Sequence, residues 1–220
     1  MVDIGQYMEA LIAGLRERFG DRLRYVGLQG SYLRGEADEN SDIDVMVVLD
    51  RWETDDLDGY RELLMRLGDF DRSCGFICGE EELRRWNPLE CCHVLHSTKD
   101  YVGRLADFLP VWTMEDERSF IKMSLNNLWH ELSHRRVHRG RERSLERLPG
   151  MYKGTFFILQ NLHYMRTGEF INSKAELLER LDGDDRAVLA AALALRGGMS
   201  AVDADFERLL TWCQAAMQQL

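Results

Sequence analysis

Three prolines, five cysteines and no apolar run of bilayer length mark what this 220-residue chain does without. So few prolines leave helices and strands uninterrupted and exclude collagen-like or proline-rich architectures. An odd cysteine count without regular spacing builds no disulfide framework, so reduced thiols and a cytoplasmic location are expected. Nothing approaches the roughly 20 apolar residues that span a membrane. The start Met1-Val2-Asp3-Ile4 also lacks the basic and apolar regions of a secretory signal. What remains is 45% hydrophobic and 30% charged, too apolar for disorder and long enough for one large or two small domains.

The formal charge of −10 sits in the first half. Residues 1–112 hold 13 Lys and Arg against 23 Asp and Glu, whereas residues 113–220 hold 15 against 15. An acidic half argues against stable nucleic-acid binding, which needs a basic face. It suits divalent cations or a cationic substrate, although most of these carboxylates read as solvated surface.

Periodicity separates the same two regions. Ile4, Met8, Leu11, Ile12, Leu15 and Phe19 fall at helical spacing over 3–19. Residues 24–29 read as a strand ended by Gly30, and Asp42 to Leu49 (DIDVMVVL) as a second, β-branched and apolar. A helix is expected at 55–68, a strand at 73–78, a short helix at 80–86 and a strand at 91–97. Pro110 and Trp112–Asp116 mark a boundary. Beyond it, helices are expected at 115–138, 145–167, 173–181, 184–196 and 203–218. The fold class is therefore α+β: a small mixed sheet with helices over 1–112, followed by an α-helical bundle over 113–220.

Chemistry concentrates in Gly30-Ser31, a polar spacer, and Asp42-Ile43-Asp44. Alternation on a strand projects Asp42 and Asp44 together while Ile43, Val45, Val47 and Leu49 point into a core. Two carboxylates on one face call for a cation between them. Gly30 and Ser31 end the neighbouring strand, where backbone N–H groups and a hydroxyl can hold a phosphate chain. Arg34, one turn on, can add a charge-assisted contact.

Residues 26–50, VGLQGSYLRGEADENSDIDVMVVLD, resemble the signature of the DNA-polymerase-β-like nucleotidyltransferases. The order of elements beyond them is similar to that of kanamycin-type aminoglycoside nucleotidyltransferases. The resemblance implies Mg²⁺ held by Asp42 and Asp44, and an NTP, most simply ATP, whose nucleoside monophosphate moves to a hydroxyl of a small-molecule acceptor. An aminoglycoside-like cation would suit the acidic half. A homodimer is compatible with the resemblance. So is an antitoxin-like or nucleotide-binding regulatory module, because related minimal domains serve in that way. The family's third carboxylate belongs on the strand Ser73–Cys78, and its expected position falls at about Cys74, with Asp69, Asp71 and Glu90 as possible substitutes.

Other residues admit two readings each. Cys74, Cys78, Cys91, Cys92 and His93 invite a zinc reading, but their spacing forms no compact pair and core thiols are expected. His130, His134 and His138 recur every four residues beside Glu131, which describes a solvated polar face. The resemblance instead implies that His130 or Glu131 takes the acceptor's proton and that His134 or a neighbouring arginine (Arg135, Arg136, Arg139 or Arg141) touches phosphate. Lys153 is either a snorkelling surface lysine or a second phosphate contact.

Overall fold

Asp3 begins the fold by accepting from the backbone N–H groups of Gly5 and Gln6 at 3.0 and 3.1 Å, capping helix α1 (Ile4–Phe19). The computed structural model describes residues 2–220 and divides into two units, the first ending at Trp112 and the second running Thr113–Leu220.

In the first unit α1 leads to β1 (Leu23–Leu28), α2 (Gly30–Leu33) and β2 (Ile43–Leu49). Then follow α3 (Thr54–Leu67), β3 (Ser73–Gly79), α4 (Glu80–Arg84), α5 (Pro88–His96) and β4 (Lys99–Val102). The sheet order is β3-β2-β1-β4. Strands β2 and β3 run parallel across the α3 connection, and the other pairs are antiparallel. Ile43, Val45, Val47 and Leu49 pack with α1 and α3 on one face. Met46 and Val48, on the face that Asp44 shares, form a second apolar layer with Tyr25, Cys78, Leu83 and Leu105. Thus β2 is buried on both faces along most of its length, and only its first turns of pleat reach solvent.

The segment 91–97, expected as a strand, is helical. Asn87 accepts from the Leu89 N–H at 3.1 Å and Pro88 takes the first helical position, a start signal that overrides the apolar run of Cys91-Cys92. Consecutive cysteines are both fully buried because they sit on the inward side of α5. Strand β4 lies just beyond, at Lys99–Val102.

The second unit opens at Thr113, whose hydroxyl accepts from the Asp116 N–H while the Asp116 carboxylate accepts from the Thr113 N–H at 2.8 Å. Helix α6 (Met114–Thr167) is broken at Gly140, whose φ of 79° turns the backbone out of helical geometry. Helices α7 (Lys174–Arg180), α8 (Gly183–Arg196) and α9 (Asp203–Gln218) complete the unit. Ile121, Leu125, Tyr152, Leu159, Leu189 and Leu209 are fully buried in its core. The Tyr152 hydroxyl donates to the Asp205 carbonyl at 2.8 Å, tying α6 to α9. Among the described residues, no helix is long and apolar enough to cross a membrane.

Candidate active site

The site in the first unit is assembled by backbone. The Gln29 N–H donates to the Asp44 carbonyl at 2.8 Å, so the turn at Gly30 is pinned beside the start of β2. Gly30 has φ of 69°, and a Cβ added there would overlap the Asp44 carboxylate. Both facts demand glycine: the first on backbone conformation, the second on space. Ser31 follows in α2, and its carbonyl accepts from the Glu36 N–H at 2.9 Å, folding the chain back. Gly30, Ser31 and Asp44 are therefore one local structure, although fourteen positions of sequence separate the turn from the carboxylate.

Asp42 is exposed immediately before β2, and Asp44 is half-buried at its second position. The parallel register places Asp44 against Cys74 on β3. Cys74 is also the residue at about which the resemblance puts a third carboxylate. Cys74 departs from the core-thiol expectation, because it is exposed while Cys78, Cys91, Cys92 and Cys213 are buried. Its thiol is nonetheless held above the ordinary range. Desolvation at the sulfur is the main cause, the Gly75 N–H opposes it, and a hydrogen bond to Asp44 with the Asp44 and Asp42 charges adds to it. A protonated thiol donating to Asp44 supplies neither a hard oxygen ligand nor a base.

Two residues outside the motif shape this corner. Arg72, just before β3, donates from Nη2 to the Tyr32 hydroxyl at 3.0 Å and to the Ser41 carbonyl at 3.1 Å. Its Nε donates to the same Ser41 carbonyl at 3.3 Å. One guanidinium thus ties the Gly-Ser helix to the loop that delivers Asp42, using the fork geometry that lysine lacks. The loop is also self-supported, since the Ser41 hydroxyl accepts from the Asp38 N–H at 2.8 Å and Asp38 accepts from the Asn40 N–H at 2.9 Å. Nothing in the sequence announces Arg72, which lies 31 positions from Ser41 and 40 from Tyr32. Arg34, in contrast, does not offer an uncommitted cation: its guanidinium is ion-paired to Glu36 at 3.2 Å, with both side chains mostly buried.

Asp42 and Asp44 fit a hard divalent ion completed by phosphate and water oxygens, because both are oxygen donors at one strand end. Among the described residues, no group of three or more His, Cys, Asp or Glu is arranged to hold a metal.

The remaining candidates lie in the second unit. His130, His134 and His138 form an exposed row on α6, with ring centroids 5.5 Å apart in the first pair and 4.6 Å in the second. His134 is held below the ordinary imidazole range by desolvation first, then by His138, His130, Arg139 and Arg135. A neutral ring offers phosphate an N–H but no charge. Glu131 is ion-paired with Arg135, Oε1 accepting from Nε at 2.9 Å. Lys153 is exposed further along α6.

Known proteins resemble this chain in sequence over part of its length and in fold. The nucleotidyltransferase domain model matches residues 8–88, which contain the Gly-Ser turn, both aspartates and Cys74. A stretch of 33 residues, 15% of this chain, is 61% identical to the protein adenylyltransferase MntA of Thermococcus cleftensis. The match spans 31% of that relative's length. The solved structure of spectinomycin adenyltransferase AAD(9) from Enterococcus faecialis, with ATP and spectinomycin, superposes with a TM-score of 0.59 over 97% of this chain and 99% of that one, at 16% identity. That likeness concerns the fold: a mixed sheet followed by a helical region. Residues 8–88 thus match the nucleotidyltransferase domain family, a segment of under half of the chain.

Proposed function

We propose that this protein is a nucleotidyltransferase that moves a nucleoside monophosphate, most simply AMP from ATP, to a hydroxyl of an acceptor. The observation that carries the proposal is the contact between Gly30 and the Asp44 carboxylate, which makes a phosphate-binding turn and a paired-carboxylate edge a single site. Asp42 and Asp44 would hold Mg²⁺, whose chemistry is to neutralise charge on the phosphates and on the departing pyrophosphate. Gly30 and Ser31 hold the phosphate chain through backbone N–H groups and the hydroxyl. His130 is the proposed proton acceptor in preference to Glu131, whose carboxylate is engaged by Arg135. His134 and Lys153 remain proposed phosphate contacts, the first as an uncharged donor. A small cationic acceptor is favoured by the acidic first half and by the fold shared with a spectinomycin adenyltransferase.

A second reading has its own support. Cys74 stands at about the position where the resemblance puts a third carboxylate, and a 33-residue stretch is similar to part of a protein adenylyltransferase. Those two observations support a protein hydroxyl as acceptor, or nucleotide binding without transfer. Incubation with Mg²⁺ and [α-³²P]ATP separates the readings when run with a panel of hydroxylated cationic small molecules and with candidate protein acceptors. Label on a small molecule with stoichiometric pyrophosphate supports the first reading. Label on protein moves the acceptor assignment to the second. Nucleotide binding with no pyrophosphate release would overturn the transferase reading.

A further inference from the structure

His130-Glu131-Leu132-Ser133-His134 continues to His138, so imidazoles recur at i, i+4 and i+8 on one exposed face of α6. Two histidines four residues apart on a helix present their rings to a common point, the spacing by which helices hold zinc. Here the rings are already adjacent, with centroids 5.5 Å apart for His130 and His134 and 4.6 Å for His134 and His138. Zinc–nitrogen bonds of about 2.0–2.1 Å let one ion bridge neighbouring rings of such a row. They do not let one ion collect all three, because eight residues of helix rise about 12 Å.

We propose that His134 is the shared ligand of a surface transition-metal site, binding one Zn²⁺, Cu²⁺ or Ni²⁺ together with either flanking imidazole, His130 or His138, an occupancy that excludes the proton and phosphate roles proposed above for the rings engaged. Imidazole is the ligand type these borderline ions select, and Mg²⁺ does not compete for it. Water fills the remaining positions, consistent with the absence of any three-residue metal cluster among the described residues. Glu131 is ion-paired to Arg135. The site therefore holds an ion without the third protein ligand and unengaged carboxylate of a hydrolytic helix zinc centre. Arg135 and Arg139 act electrostatically on His134. Their positive charge opposes a dication and sets a modest affinity.

The shared ligand gives the proposal a distinctive test. Full-length, tag-free protein is titrated with Ni²⁺ and Zn²⁺ by calorimetry and by competition against a chromophoric chelator. One ion per chain is expected. His134→Ala should weaken binding at least about tenfold, the scale of losses from disrupting a metal site. His130→Ala and His138→Ala singly should cost only a few-fold, since each leaves one pair intact, whereas the double variant should match His134→Ala. Circular dichroism checks that these exposed substitutions leave the helices formed. Absence of binding, or binding that survives His134→Ala, overturns the proposal. Loss of the ion in Asp42→Asn or Cys74→Ser would also overturn it by moving the ion to the first unit.

Discussion

The two units place their candidate residues by different physical means. In the first, backbone does the placing. The Gln29–Asp44 hydrogen bond, the left-handed Gly30 and the parallel β2–β3 register fix Ser31, Asp44 and Cys74 before any side chain chooses a rotamer. In the second, side-chain periodicity alone places His130, Glu131 and His134, on an exposed helix whose rotamers are held by ring contacts and one surface ion pair. Backbone-placed sites tolerate little: a single methyl at Gly30 strikes the Asp44 carboxylate. Helix-face sites tolerate substitution structurally, so losses there report on chemistry.

Three sets of variants sharpen that contrast. The largest effect is expected at Gly30 and Asp44. Asp44→Asn removes a ligand charge at constant size and should abolish Mg²⁺-dependent triphosphate binding and turnover with the fold retained. Gly30→Ala should do the same by displacing Asp44, with a lower melting temperature as well, because it combines strain with overlap. Isothermal titration with a non-hydrolysable ATP analogue and Mg²⁺ checks both. Undiminished binding in either variant would separate the turn from the carboxylates.

The next effect belongs to the helix face. His130→Ala should lower turnover about 10²–10⁴-fold, the usual contribution of a general base, while nucleotide affinity persists. Glu131→Gln should cost less because Arg135 already engages that carboxylate. Cys74→Ser should leave turnover nearly intact, since a thiol held protonated beside Asp44 takes no proton at neutral pH. Steady-state rates of the three variants decide the assignment. A dead Cys74→Ser with an active His130→Ala would return the chemistry to the strand.

The smallest effect is expected at Arg72. Arg72→Ala frees the Tyr32 hydroxyl and the Ser41 carbonyl, and should raise the dissociation constant for Mg²⁺-ATP about tenfold, or about 1.4 kcal/mol. Arg72→Lys should recover little of it, because one ammonium does not replace the fork. Added guanidinium should restore binding to the alanine variant. Equal affinity in all three proteins would show that the 38–41 loop holds itself.

Much of this was legible in the residues. The β-branched DIDVMVVL stretch, the Gly-Ser turn and the 3.6-residue periodicity beyond Thr113 are local signals, and each formed the element expected of it. The misread segment shows where local signals compete. Cys91-Cys92-His93-Val94 is apolar enough for a strand, yet Asn87-Pro88 starts a helix three positions earlier and carries through it.

Sequence by itself determined which chemical groups this protein owns and the period at which they recur: Asp42 and Asp44 two apart, the histidines four apart, and no carboxylate within Ser73–Cys78. Periodicity is a property of neighbouring residues, so it survives without knowledge of the fold. Only tertiary structure decided that Gly30 touches Asp44, that Cys74 rather than Ser73 or Gly75 stands opposite it, and that Arg72 holds the loop before Asp42. These are contacts across strands and loops, set by register and backbone hydrogen bonding. A one-residue slip of β3 would have turned Cys74 to the other face without altering a single letter of the sequence.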